Sequence, residues 1–222
     1  MMIPPELLYT VLRYPLDRFP WPAAITEILG EKDLAVLRDE ARPLATQATD
    51  QATRWHQRFY AARELWGPLY NTFVMEFVAG LFCEPFFYQA IPTFRVQLPD
   101  NMAVGAYHRD AEYGHPAGEV NFWLPLTRAD GSNSVYLVED DGERRRSIRA
   151  WPGDVVVFDA VGRRHGNEVN CERWTRVSFD FRCLPVRLYR ESPPGSEARS
   201  VNMGCRFAPG DYYAAEPCEG RQ

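Results

Sequence analysis

Two of the four histidines in this chain stand where they could do metal chemistry. His108 and Asp110 are separated by one residue. Along a β-strand successive side chains alternate faces, so the imidazole and the carboxylate are expected on one side and Arg109 on the other. The later run Arg163, Arg164, His165, Gly166, Asn167 offers a second imidazole. Two imidazoles and one carboxylate on one side of a metal leave three adjacent coordination positions open, an arrangement suited to non-haem Fe(II). Further on, Arg176 and Ser178 share one face of the strand-like run from Trp174 to Phe181, where a guanidinium and a hydroxyl could grip one carboxylate. A metal claw beside a carboxylate clamp suits iron plus a dicarboxylate.

Each of these residues also has an ordinary reading. A His-x-Asp tripeptide arises often by chance, and an arginine on a strand is commonly exposed or paired with Asp or Glu. What raises the functional reading is their order: strand alternation, a second histidine at the edge of a later strand, and Arg-x-Ser on the last strand. Asn121 and Trp123 share a face of the strand after the claw, and Arg95 and Gln97 share a face of the first strand. These four are candidates to line the same pocket. His56 falls in a helical region and reads as a surface or packing residue. His115 sits in a Gly- and Pro-containing loop, either bordering the pocket or as a plain loop histidine. Glu112 and Tyr113, just after the claw, either attract a cationic sugar or are solvated loop residues.

The elements that must hold these residues can be read from periodicity. Five prolines in residues 1–22 preclude a continuous helix and predict an extended lead-in. From Ala23 to Ala45 the apolar residues recur at helical spacing, with Gly30 breaking the pattern into two short helices. A longer helix is expected after Thr49 and Asp50 as a cap, with Leu65, Leu69, Phe73, Phe77 and Leu81 stepping by four as one apolar stripe that packs it along the outside of the barrel. Trp55, Tyr60, Trp66 and Tyr70 read as core aromatics on that surface. After Pro85 the rhythm changes to two. Strands are expected at Thr93 to Leu98, Met102 to Asp110, Glu119 to Leu126, Ser134 to Val138, Ser147 to Ala150, Asp154 to Asp159, Arg164 to Val169 and Trp174 to Arg182. Short strands at this spacing, punctuated by turns such as Asp130-Gly131 and Pro152-Gly153, fit a jelly roll. The run Glu139 to Arg146 sets an acidic block against a basic one around a turn, as in a solvated hairpin tip. The chain from Leu184 onward has few periodic apolar positions and is expected to wrap the barrel irregularly, with Tyr212 and Tyr213 as anchors.

On His108-x-Asp110, the distal His165 and Arg176-x-Ser178, the region 92–182 resembles the Fe(II)/2-oxoglutarate-dependent dioxygenases. Within that superfamily it looks most similar to the small phytanoyl-CoA-hydroxylase-like enzymes of aminoglycoside antibiotic biosynthesis, of the streptomycin and hygromycin type. The resemblance implies a double-stranded β-helix and a mainly β fold preceded by N-terminal α-helices. Its division of the chain would be an N-terminal helical support at 1–91, a core at 92–182 and a C-terminal wrap at 183–222, within one domain. It implies His108, Asp110 and His165 as metal ligands and catalytic centre, and Arg176 and Ser178 as the 2-oxoglutarate clamp, with Asn121 and Trp123 beside it. The implied cofactors are Fe(II), 2-oxoglutarate and O2. The implied reaction couples oxidative decarboxylation of 2-oxoglutarate to hydroxylation or oxidative cyclisation of a small polar natural product, an aminoglycoside among the options, orthoester formation of the hygromycin type included. Related halogenases carry Gly or Ala in place of the carboxylate, so Asp110 disfavours halogenation.

Bulk properties bound the alternatives. The chain has 222 residues, 45% hydrophobic and 25% charged, enough to bury a sizeable core. A net charge of −5 and pI near 5.5 give no global attraction to nucleic acid. Five cysteines without a Cys-x-x-Cys pair argue against a zinc ribbon or a disulfide framework. The N-terminus shows no secretory pattern and no apolar run reaches the ~20 residues that cross a bilayer, so a cytoplasmic location is expected, with a small-molecule substrate and neither nucleic acid nor membrane as partner. Competing readings are a metal-independent jelly-roll sugar epimerase or isomerase, a carbohydrate-binding module, and a demethylase of the same superfamily. The first predicts activity after chelation, the second an exposed aromatic platform, the third a basic stripe.

Overall fold

The computed structural model describes residues 8–39, 51–102, 106–191, 198–201 and 203–221. These form two antiparallel sheets. The larger contains β1 (Thr10–Arg13), β7 (Asp154–Phe158), β4 (Val120–Pro125), β9 (Arg176–Pro185) and β2 (Phe86–Tyr88) in that order, with β3 (Thr93–Gln97) also paired to β9. The smaller has the order β6 (Arg145–Ser147), β5 (Val135–Val138), β8 (His165–Asn167). An isolated antiparallel bridge between His108 and His165 extends it by one position. This is the double-stranded β-helix expected from the short alternating strands. Its larger sheet takes in β1 and β2, from chain that precedes residue 92.

Strand β9 is the spine. One edge pairs with β4, and the other takes β3 along Arg176 to Asp180 and β2 along Cys183 to Pro185. All ten of its residues are buried, so both faces must be covered. Val177, Phe179, Phe181 and Cys183 project into the main core, beneath α1 (Trp21–Leu29) and α3 (Arg63–Glu76). There Trp21 meets Phe179 at 4.8 Å, and Phe181 stacks on Phe122 at 5.2 Å and meets Tyr70 edge-on at 5.3 Å. Helix α2 (Arg54–Ala61) adds Phe59, which stacks on Phe94 of β3 at 4.3 Å. The alternate residues Arg176, Ser178, Asp180 and Arg182 must then face the interval between the sheets. Trp123, Val156 and Phe158 form a second apolar cluster with Val135 and Leu137 of the smaller sheet.

Several expectations need correction. Within Met102 to Asp110, residues 103–105 lie outside the described set; His108 contributes only the single bridge, and Asp110 opens a 3-10 turn, Asp110–Tyr113. The strand expected at Ser147 to Ala150 lies earlier, at Arg145–Ser147, with Ala150 bridged to Ala129. The long helix is two helices meeting at Ala62, and Thr53 caps the first by accepting from the His56 N–H. Thr49 and Asp50 lie outside the described residues. The buried face of α3 is Trp66, Tyr70, Phe73 and Val74, while Leu65 is 70% exposed. The second of the two helices expected on either side of Gly30 is a 3-10 turn, Leu34–Val36, in the described part. The β5–β6 tip is exposed, with Arg146 paired to Glu139 at 2.6 Å. Beyond Pro185 the chain is irregular, and Phe207, Tyr212 and Tyr213 seat it on Phe87 and Leu184. Among the described residues no helix is long and apolar enough to cross a membrane.

Candidate functional site

His108, Asp110 and His165 are brought together by backbone pairing rather than by a shared strand face. His108 and His165 exchange both N–H···O bonds, each 2.9 Å, and the Asp110 N–H donates to the Ala160 carbonyl at 2.8 Å. Gly166 favours the first contact: a Cβ there would lie 3.1 Å from the Tyr107 Cα, close enough that the paired backbone would have to give by a few tenths of an ångström. Gly114, at φ +80°, ends the turn that carries Asp110. The outcome is one ligand atom from each residue, all within 4.8 Å of one another.

The chemistry of this donor set fits a cation. His108 Nδ1 lies 2.9 Å from the Ala106 carbonyl and His165 Nδ1 3.0 Å from that of Arg163. A carbonyl only accepts, so in the neutral rings Nδ1 carries the proton and Nε2 presents a lone pair. Both Nε2 atoms face Asp110 Oδ1, at 3.4 and 3.6 Å. Burial pushes the His165 pKa down, outweighing the Asp110 charge, and so favours the neutral ligand form. Burial alone would raise the Asp110 pKa, but the charge of Arg182 holds it well below the usual carboxylate range. Three acceptors therefore converge on one point.

Asp110 is itself held from behind. Arg182 donates to Asp110 Oδ2 through Nε at 3.1 Å and Nη2 at 2.9 Å, and its Nη1 donates to Asp180. Arg95 approaches the other oxygen of Asp180 at 3.9 Å. Burial works against the Arg182 charge, yet the two carboxylates raise its pKa well above the ordinary value. Neither Asp180 nor Arg182 was singled out by sequence reasoning. The signal was present, since strand alternation places 180 and 182 on the face already assigned to 176 and 178.

Arg176 is 1% exposed and has no such company. Its Nη1 donates to Asn167 Oδ1 at 2.7 Å and its guanidinium lies 5.8 Å from the Trp123 ring, while Nε has no hydrogen-bond partner among the described residues. Burial, and then the Arg95 charge, push its pKa down to about 9 against the weaker pull of Asp180, so it stays charged at neutral pH, and no carboxylate among the described residues bonds to it. Among the described residues the buried Ser178 Oγ and Asn121 Oδ1 likewise have no hydrogen-bond partner. Arg176, Asn121 and Trp123 line one pocket with Arg95, His108, His165, Asn167, Asp180 and Arg182. A larger hollow of about 440 Å³ lies at the β5–β6 tip, where Arg163 and Arg146 already pair with Asp140 and Glu139.

The remaining sequence candidates lie elsewhere or play other parts. Gln97 is fully buried and donates to the Glu168 carbonyl at 2.6 Å. His56 is buried in helix packing against Phe94. Tyr113 meets the His108 ring edge-on at 5.0 Å, and Glu112 is exposed, 3.8 Å from Arg109. His115 does not line the pocket: it bonds Glu119 at 2.7 Å and packs on Phe207 at 4.4 Å. The other Glu119 oxygen accepts from Tyr213, which ties the C-terminal segment to the loop that begins at Asp110.

The fold matches solved non-haem enzymes. The α-ketoglutarate-dependent carbocyclase SnoK of nogalamycin biosynthesis superposes with a TM-score of 0.54 at 15% identity, covering 96% of this chain and 92% of that one. The structure of EctD from S. alaskensis with bound Fe gives 0.54 at 17% identity, covering 92% and 82%. The chain thus has the jelly roll of the Fe/2-oxoglutarate oxygenases, the superfamily that its His, Asp and Arg pattern resembles. No protein-family model matches it. In sequence it is 40% identical over 205 residues to the streptomycin biosynthesis protein StrG of Streptomyces griseus, covering 92% of this chain and 97% of that protein. It belongs to the StrG family.

Proposed function

We propose that this protein is an Fe(II)- and 2-oxoglutarate-dependent oxygenase that hydroxylates or oxidatively cyclises a small polar natural product of the aminoglycoside class. The observation that carries the reading is a buried guanidinium bonded to no carboxylate among the described residues, on the wall of a pocket where two imidazole nitrogens and a carboxylate oxygen converge. Superposition on the α-ketoglutarate-dependent fold and kinship with a streptomycin biosynthesis protein support it.

His108, Asp110 and His165 would hold the iron. When bound, iron and 2-oxoglutarate supply the activation of O2 that is coupled to decarboxylation. The chain's own task is to bind and orient. Arg176 Nε and Ser178 Oγ, both buried and unpartnered, would receive the far carboxylate of 2-oxoglutarate, which offsets the desolvation that the guanidinium already bears. The Trp123 ring restricts the guanidinium from one side, and Asn121 supplies an amide on the same wall. Phe158, edge-on to His165 at 5.4 Å, keeps water from that side of the ring.

Anaerobic addition of Fe(II) and then 2-oxoglutarate to metal-free protein tests this. A weak visible charge-transfer band that is lost in Asp110→Ala is expected, followed by succinate release with aminoglycosides or their precursors. Folded protein that gives no band refutes the assignment. Activity that survives chelation would favour the metal-independent epimerase instead.

A further inference from the structure

Resting on the metal site proposed above, we infer that Arg182 is a positioning residue that divides the labour of the two Asp110 oxygens. Asp110 is 2% exposed and Arg182 9%, so neither group is solvated by bulk water. Two guanidinium donors converge on Oδ2, at 3.1 and 2.9 Å, and leave Oδ1 alone facing the two Nε2 atoms at 3.4 and 3.6 Å. Two donors on one oxygen fix the carboxylate against rotation about Cβ–Cγ, and commit a single oxygen to the imidazole side.

Arg182 is fixed in turn. Its third nitrogen is held by Asp180, and Asp180 is approached from its other oxygen by Arg95, so charges alternate from Arg95 through Asp180 and Arg182 to Asp110. The strand supports the same geometry. Arg182 sits opposite Asn121 in the pairing of β9 with β4, and Asp180 opposite Trp123, so the middle two charges lie on β9 within the larger sheet. Asp110 by contrast belongs to a 3-10 turn whose backbone is tied to Ala160. Arg182 thus anchors the proposed ligand, which sits in a short turn, to the longest strand among the described residues. Partners behind a ligand typically change metal affinity about 10- to 100-fold when removed.

The test uses Co(II) as the probe, with affinity read by competition against a chromophoric chelator and geometry by the visible ligand-field bands. Arg182→Lys keeps a positive charge between the carboxylates but offers a point charge instead of a fork. Affinity weakened about 10- to 100-fold, with shifted bands, is expected in protein whose near-ultraviolet circular dichroism matches the wild type. An Arg182 that only supported the fold would lower the melting temperature and leave both readouts unchanged, and that result overturns the inference. Asp180→Asn retains the guanidinium and loosens its second anchor. It decides the matter if Arg182→Lys does not fold: weaker Co(II) binding supports the inference, and wild-type binding overturns it. Absence of Co(II) binding in the wild type refutes the metal site and this inference together, whereas tight wild-type binding with unaltered variants refutes this inference alone.

Discussion

Arg176 and Arg182 stand on the same face of the same strand, both buried, and keep opposite company. Arg182 lies between two carboxylates, and its charge is stabilised well beyond the ordinary. Arg176 has one amide oxygen, an aromatic face and an unpartnered Nε, and its charge is destabilised. A buried ion whose partners are all in the chain is part of the structure; one that lacks them stores a desolvation cost that an arriving anion relieves. On the function proposed above, the difference marks which end of the pocket is finished and which would take up a ligand.

The comparison can be broken or sharpened by substitution. The largest effect is expected from Asp110→Ala, which removes the one charged group of the proposed metal site and should abolish metal binding and succinate release; turnover at the wild-type rate would mean the acid has no part in the site. On the opposite face of β9, Phe181→Ala should cost about 3–5 kcal/mol in denaturant unfolding, because it opens a cavity among Phe122, Tyr70 and Phe73. The metal affinity of the folded fraction should stay unchanged, which separates the two faces of the strand. Arg176→Met should raise the 2-oxoglutarate requirement about 100-fold or more, equivalent to roughly 3 kcal/mol of lost ionic contact. It should not lower the melting temperature of the ligand-free protein, since it removes a buried charge without a counter-ion. A drop comparable to that of an Arg182 variant would show that the two arginines are alike after all. Tyr213→Phe should cost about 1–3 kcal/mol by leaving a Glu119 oxygen unsatisfied. The smallest effect is expected from Ser178→Ala, a loss of about 1 kcal/mol or a few-fold in 2-oxoglutarate affinity, measurable by the charge-transfer titration.

Much of the pocket was legible because alternation on a strand is a strict rule. The same rule that paired Arg176 with Ser178 extends without change to Asp180 and Arg182, so their omission was a failure to carry it to the end of the strand. The helical stripe held except at its start. Steps of four overshoot the 3.6-residue turn by about 40° each, which carries Leu65 about 80° around the axis from Phe73. Phe73 is buried and Leu69, Phe77 and Leu81 pack against the core, while Leu65 is exposed. The His-x-Asp pair was found by assuming a strand that the described residues show only as one bridge. Its convergence is real, but it comes from the His108–His165 pairing and the 3-10 turn after Arg109.

By itself the sequence determined the alternating pattern of a mainly β chain, the two sheets that pattern must bury, and the identities of the groups able to bind a metal and a carboxylate. These are local consequences of side-chain type and of the period of two, which need no knowledge of what lies opposite. Only the tertiary structure decided which buried charges are compensated. Asp110 meets Arg182, 72 positions along the chain, whereas Arg176 bonds to no acid among the described residues. Compensation in a low-dielectric interior depends on separations of a few ångströms between strands distant in sequence, and no spacing along the chain encodes them.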